Sequence, residues 1–147
     1  MILYHISHKS LGKQPTLKPR TPFSRACGED DTPRICVSPT IEECYLALQL
    51  EIEAQYVHRI QSYWVYVVDT RDSVFANESV FDRRITRERW LLTPTKLKRI
   101  GRIPAFSTGQ RFMFDGDVET SKHVRWVLKR MVSALVARHI VDINQVN

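Results

Sequence analysis

The chain has 147 residues, of which 43% are hydrophobic and 26% are charged. This length fits one domain of common size, and this composition is ordinary for a globular protein, so general disorder is excluded. The net charge of +6 favours an anionic partner, such as nucleic acid, a phosphorylated cofactor or an acidic protein.

The sequence contains no pattern typical of a membrane span, a signal peptide or a metal site. No segment approaches the ~18 consecutive apolar residues that a membrane span needs, and the first residues lack the pattern of a signal peptide. We therefore expect a cytoplasmic protein without membrane contact. Cys27, Cys36 and Cys44 fit no CxxC spacing, so we expect reduced thiols. Scattered histidines and the lack of an HExxH motif predict no metal site.

A first strand is predicted at residues 2–7. Neighbouring residues of a strand point to opposite sides, so His5 and Ser7 share one face, while Tyr4 and Ile6 share the other. The apolar face belongs against a core. We expect the polar face to look into a cleft, and the alternative is a histidine satisfied by hydrogen bonds at a strand end.

The next segment combines a long loop, a second strand and a helix start. Residues 8–33 contain four prolines and two glycines, which predicts a functional loop without regular structure. A strand at 34–38 leads to Thr40, which caps a helix with Glu43 in the capping-box position, and this helix should reach about residue 57. Ser38 and Thr40 could contact a pyrophosphate at the helix start, or could only turn and cap the chain.

The residue pattern of the remaining chain predicts mainly strands, followed by a final helix. Aromatic and β-branched residues at 63–68 indicate a central strand. Further strands are predicted at 74–75, 90–92, 98–103 and 111–114, and a basic amphipathic helix begins after Thr120 or Ser121. The sequence therefore predicts an α+β fold in a single domain over residues 1–147, with a split or mixed, mostly antiparallel sheet and two main helices.

A basic stripe surrounds a single acidic residue. Between residues 83 and 102 there are eight basic residues and one acid, Glu88. Nearby cations favour the charged carboxylate, so we expect Glu88 to be ionised and to serve as a general base or as an electrostatic stabiliser. The alternative is an ordinary surface ion pair. Trp90 could stack on a nucleobase or belong to the core.

The order of these features resembles the ADP-ribosyltransferase fold, in particular its small prokaryotic members with a histidine on the first core strand. The features are the Tyr4-His5-Ile6-Ser7 strand, the loop rich in proline and arginine, the strand that ends in Ser38 and Thr40 before a helix, and the late Glu88 before a strand. The loop from Leu17 to Arg34 is also similar to that of small phage and bacterial proteins, which suggests a mobile-element origin.

The resemblance implies a transferase that uses NAD as cofactor and passes ADP-ribose to a macromolecule. His5 would hold the nicotinamide-side ribose, residues 38–40 would shape the nicotinamide pocket, and Glu88 would orient the ribose or the nucleophile. The predicted catalytic residues are therefore His5 and Glu88. The predicted cofactor-binding residues are His5, Ser7, Arg20, Arg34, Ser38, Thr40 and Tyr45. The chain departs from the family in the third motif, since Arg87 precedes Glu88 and no Glu-x-Glu or Gln-x-Glu stands before the last strands.

Two hypotheses follow for function. The first is an ADP-ribosyltransferase whose acceptor is a nucleic acid or an acidic protein. The second is a non-catalytic basic protein that binds nucleic acid or an acidic host protein through the stripe at 83–102 and the last helix. Convergence of His5, Ser38 and Glu88 on one pocket would favour the first hypothesis, and wide separation would leave it without support.

Overall fold

A computed structural model of the chain describes residues 1–22, 28–47, 62–80 and 83–104, together with positions 126, 130, 133, 134, 136–138 and 140. Eight strands lie in these ranges, in the order β1 Ile2–Ser7, β2 Thr16–Leu17, β3 Ile35–Val37, β4 Ser62–Asp69, β5 Ser73–Phe75, β6 Arg89–Leu91, β7 Thr95–Lys96 and β8 Lys98–Pro104. Two short helices accompany them, α1 Ile41–Ala47 and α2 Arg83–Thr86. All strand pairings among the described residues are antiparallel, which confirms the predicted α+β class.

Two three-stranded sheets carry the architecture. In the first sheet the order is β1-β4-β8, and in the second sheet it is β3-β6-β5, while β2 and β7 form a separate pair. The two sheets meet where Tyr4 and Ser38 form an isolated antiparallel bridge. Tyr4 N donates to Ser38 O at 2.9 Å, and Ser38 N donates to Tyr4 O at 3.0 Å. This bridge brings the end of β3 beside the middle of β1.

The core lies on both sides of the first sheet. On one side, Tyr4 and Ile6 of β1 pack with the apolar face of α1 and with residues of β4 and β8. On the other side, Leu3 and Tyr66 pack against the apolar residues of the second sheet. The prediction that β1 has one core face and one polar face is therefore incomplete. Because Leu3 shares the face of His5, that face is also packed against a core over part of its length.

The predicted strands are confirmed at 2–7, 34–38, 63–68, 74–75, 90–92 and 98–103, with shifts of one or two residues at their ends. The capping box is also confirmed, because Glu43 N donates to Thr40 Oγ1 at 3.2 Å and Thr40 Oγ1 donates to Glu43 Oε2 at 3.0 Å. The helix prediction beyond residue 47 and the strand at 111–114 lie outside the described residues. Helical positions at 126, 130 and 133 agree with the predicted last helix.

The prediction of an irregular segment at 8–33 is wrong in part, because β2 and a bridge between Arg20 and Arg34 lie within or beside it. The segment also runs along the first sheet's edge region, where Leu97 N donates to Pro15 O and Arg99 N donates to Lys13 O, both at 2.9 Å. Prolines favour extended backbone, so a segment rich in them can still pair as an edge strand.

A buried arginine holds the end of this loop. The Arg34 side chain is 0% exposed and forms an ion pair with Glu29. Its Nη1 donates to the carbonyl oxygens of Asp30 at 2.8 Å and Thr32 at 3.1 Å, and its guanidinium lies 4.3 Å from the ring centroid of Trp90. One side chain thus ties residues 29–32 to the second sheet.

Removing Arg34 should therefore destabilise the whole fold. Arg34→Ala removes the arginine from the Glu29 carboxylate and from two carbonyls, and we expect a loss of about 3–5 kcal/mol in the free energy of unfolding, measured by urea titration. The matched control is Arg83→Ala, whose ion pair with the 92% exposed Glu78 spans 3.8 Å and should contribute about 1 kcal/mol or less. Equal losses in the two variants would contradict the assignment.

Candidate functional site

His5 is half-buried in the middle of β1, and one of its ring nitrogens forms a hydrogen bond. Its Nδ1 is 2.9 Å from the carbonyl oxygen of Cys36, on β3. A carbonyl oxygen can only accept, so Nδ1 carries the proton and donates it. The Nε2 of a neutral ring is then an acceptor. The backbone of Cys36 therefore orients the imidazole and leaves an acceptor nitrogen for another hydroxyl.

The environment of His5 favours the neutral ring. Burial lowers the pKa of His5 below its ordinary value, against the opposing effect of the Cys36 carbonyl, and the charge of Arg20 lowers this pKa further. Arg20 is exposed and pairs through its backbone with Arg34. The structure thus brings two of the sequence-predicted residues, His5 and Arg20, within electrostatic range of one another.

Ser38 lies directly beside β1 at the junction of the two sheets. Its side chain is buried, and its Oγ makes no hydrogen bond of ordinary geometry to any described residue, although it lies near the Cys44 thiol. Burial raises the pKa of that thiol to about 12, and Sγ donates to Tyr4 O at 3.0 Å. Cys44 is therefore a protonated structural thiol rather than a nucleophile.

Glu88 lies at the start of β6 and is only 8% exposed. Its Oε1 accepts a hydrogen bond from Trp90 Nε1 at 2.8 Å, and its backbone N donates to Thr86 Oγ1 at 3.3 Å. Burial raises the pKa of Glu88, against the opposing effects of Trp90, the Cys36 thiol and Arg34. The expectation that nearby cations dominate this pKa is wrong, because desolvation outweighs them.

Cys36 connects the two predicted catalytic residues. Its carbonyl accepts from His5, and its thiol lies against the Glu88 carboxyl. Burial and the adjacent carboxyl both raise the pKa of this thiol well above its ordinary value, so it is protonated and can donate to Glu88. Our sequence reasoning missed this residue. Its position in the strand could have indicated it, because Cys36 points to the face of β3 opposite to the buried Ile35 and Val37.

Glu88 follows a residue with unusual backbone geometry. Arg87 has a φ of +47°, in the left-handed region that residues with a side chain rarely adopt. Its guanidinium binds Glu43 through two bonds, Nε to Oε1 at 2.5 Å and Nη2 to Oε2 at 2.9 Å. Glu43, whose side chain is 5% exposed, also accepts a hydrogen bond from Thr40, the residue that caps α1. This bidentate pair fixes the backbone just before Glu88 by anchoring it to α1.

A surface cleft opens beside Glu88. Its volume is about 270 Å³, and it is lined by Phe75, Ala76, Arg83, Arg84, Arg87 and Glu88. The Phe75 ring is 72% exposed. The guanidinium of Arg89 lies 4.0 Å from its centroid. The cleft therefore combines three guanidinium groups, one carboxyl and an aromatic ring.

The other predicted site residues lie in different surroundings. Tyr45 is buried in the core, edge-on to Tyr63, so its ring has no surface for a ligand. The Arg34 side chain is fully buried and paired with Glu29. Thr40 uses its hydroxyl as a helix cap, and Ser7 Oγ accepts from Lys9 N at 3.2 Å. His5 and Glu88 thus each contact Cys36, Ser38 lies near Cys44, and Arg20 is close enough to lower the pKa of His5. The cleft beside Glu88 is not lined by His5, Ser38 or Arg20. Arg34, Thr40 and Tyr45 make internal contacts.

The basic stripe divides into groups with different neighbours. The arginines of α2 line the cleft, whereas Arg99 and Arg102 lie 4.7 Å and 5.2 Å from the ring centroid of Trp64 on the first sheet. Trp90 is buried beneath Arg34, so it belongs to the core, and the stacking alternative is wrong.

Comparison of the chain with protein-family models, with curated proteins and with solved structures found no match. Among the described residues, no helix has both the length and the apolar character to cross a membrane. The same part of the chain contains no group of three or more His, Cys, Asp or Glu side chains arranged to hold a metal ion. The geometry around Cys36 and the resemblance of the sequence motifs are therefore the features that bear on function.

Replacing Glu88 by Gln should stabilise the protein at neutral pH. The pKa of Glu88 is raised on folding, so the native state favours the protonated carboxyl, and this contribution is lost as the pH rises through the folded-state pKa. Gln stays neutral and can still accept from Trp90. We expect Glu88→Gln to unfold at a higher temperature than the wild type at pH 7 to 8, and the difference to vanish below about pH 4, where both side chains are neutral.

The control for this measurement is Glu78→Gln, at a carboxyl that is 92% exposed. It should show no comparable gain at pH 7 to 8. A Glu88→Gln variant that is less stable than the wild type at every pH would contradict the burial argument.

The left-handed backbone of Arg87 gives a second prediction. Arg87→Ala and Arg87→Gly both remove the pair with Glu43, but only Gly adopts a φ of +47° without strain. Arg87→Gly should therefore be more stable than Arg87→Ala by about 1 kcal/mol in urea unfolding. The opposite order, which is usual in a helix interior, would show that the backbone relaxes once the guanidinium is gone.

Proposed function

We propose that this protein cleaves the nicotinamide–ribose bond of NAD and transfers ADP-ribose to a macromolecular acceptor. One observation carries the proposal. His5, Ser38 and Glu88, which lie far apart in the sequence, each lie against Cys36 or Cys44 near the junction of the two sheets. The order of these residues along the chain is that of the resemblance drawn from the sequence.

His5 is suited to hold a ribose. Its Nδ1 donates to Cys36 O, and its lowered pKa keeps the ring neutral, so Nε2 accepts from a ribose hydroxyl. Ser38 supplies a buried hydroxyl near the Cys44 thiol, and Arg20 supplies an exposed cation for a phosphate of the dinucleotide. Ser7, on the same face of β1 as His5, extends the polar surface.

Glu88 is suited to the chemical step. When the glycosidic C–N bond breaks, its electron pair stays on the nicotinamide nitrogen, and positive charge develops on the ribose. An ionised Glu88 stabilises that charge. As the acceptor's nucleophile bonds to the ribose carbon, its proton passes to the carboxylate. Burial raises the pKa of Glu88 and so makes the carboxylate a stronger base.

The purified protein is incubated with NAD and with a cell lysate or an oligonucleotide as acceptor. Released nicotinamide is then measured by chromatography. His5→Ala and Glu88→Gln should each lower the rate by about 100-fold or more, because each removes a group that acts on the reacting ribose. Glu78→Gln, at an exposed carboxyl outside the site, is the matched control and should retain the wild-type rate.

The pH dependence adds a readout specific to His5. The ordinary pKa of a histidine is about 6.5, and that of His5 is lower. At pH 6.5 most His5 rings are therefore neutral, and they take up a proton at lower pH. NAD binding should therefore persist at pH 6.5 and decline under more acidic conditions. Absence of nicotinamide release with every acceptor, together with absence of NAD binding in calorimetry, would overturn the proposal.

A further inference from the structure

Two kinds of group line the cleft beside Glu88. One is an aromatic ring, Phe75, at the end of the edge strand β5 and 72% exposed to solvent. The other is a set of guanidinium groups from α2 and the residue that follows it. Leaving a phenyl ring in water is unfavourable, and concentrating like charges is also unfavourable, so both features favour an occupant.

The guanidinium groups of the cleft differ in how far they are already engaged. Arg87 donates two hydrogen bonds to the Glu43 carboxylate, from Nε and Nη2. Arg83 donates to Ala76 O at 3.3 Å. Arg84 is exposed and forms no ion pair or hydrogen bond with any residue that the structure describes. Arg84 is therefore the cation best placed to bind a phosphate, with Arg83 beside it.

The ring and the cations together define the chemistry of the ligand. The Arg89 guanidinium lies 4.0 Å from the Phe75 centroid and so covers part of the ring. The remaining ring surface is open to a flat, apolar partner. A nucleobase has such a face, and the phosphates of its chain match the arginines. An acidic peptide would satisfy the arginines alone and would leave the ring exposed.

We propose that this cleft binds single-stranded nucleic acid, with a base stacked on Phe75 and a backbone phosphate on Arg84. A paired base cannot offer its face to the ring, so the strand must be unpaired at this point. The bound base would lie beside Glu88. That the nucleic acid is also the acceptor of ADP-ribose rests on the proposed function, whereas binding itself does not.

The experiment measures fluorescence anisotropy of labelled 12-nucleotide DNA and RNA of mixed sequence, single-stranded and duplex, without NAD and between about 50 and 200 mM salt. Phe75→Ala should weaken single-strand binding by about 5- to 100-fold, which is the usual effect of losing one base–aromatic stack. Arg84→Ala should reduce the slope of log K against log salt by about 0.7, because one phosphate contact is lost.

Two matched controls keep the result specific. Val74→Ala alters a neighbouring side chain of β5 that is 45% exposed, and Arg71→Ala removes an equal charge that does not line the cleft. Both should bind as the wild type does. Circular dichroism melting of all four variants checks that each one is folded before its affinity is compared.

Three results would overturn the proposal. The first is that Phe75→Ala and Arg84→Ala both keep the wild-type affinity, and the second is that Arg71→Ala loses as much affinity as Arg84→Ala. The third is that poly-glutamate, at an equal concentration of charge, displaces the oligonucleotide. The last result would indicate an acidic protein partner. Binding without nicotinamide release would retain the cleft assignment and reject the enzyme, and nicotinamide release without binding would do the reverse.

Discussion

The two backbone hydrogen bonds between Tyr4 and Ser38 connect the two sheets, and the arrangement of the site depends on them. They place the β3 backbone beside β1, which allows the Cys36 carbonyl to reach the imidazole of His5. The Cys36 side chain then reaches Glu88, because β3 pairs with β6. A single junction therefore sets the relative positions of three residues that are separated by 31 positions or more along the chain.

Burial sets the protonation of this site more strongly than neighbouring charges do. It lowers the pKa of His5, raises the pKa of Glu88 and holds the thiols of Cys36 and Cys44 in their protonated form. Desolvation favours the neutral form of each group, whichever its sign. The site therefore consists of buried groups linked by hydrogen bonds, with Arg34 buried beside Cys36 and Glu88 and the exposed Arg84 and Arg87 in the neighbouring cleft.

The parts of the fold that follow from local rules were predictable, and the parts that follow from packing were not. Alternation and β-branched residues located the strands, and Thr40 with Glu43 located the helix start, because those signals act within a few residues. The role of Cys36 depends on β3 pairing with distant segments. Likewise, the sequence does not reveal that burial overrides the cations around Glu88.

The hydrogen bond from Trp90 to Glu88 also has a consequence for spectroscopy. An indole N–H that donates to a carboxyl group experiences a different electric field when that carboxyl gains or loses a proton. Trp90 is buried, so solvent does not obscure this difference. The protein thus contains its own reporter of the ionisation of Glu88, readable in the indole proton resonance without any added label, and that resonance would follow every ligand that enters the neighbouring cleft and perturbs the carboxyl.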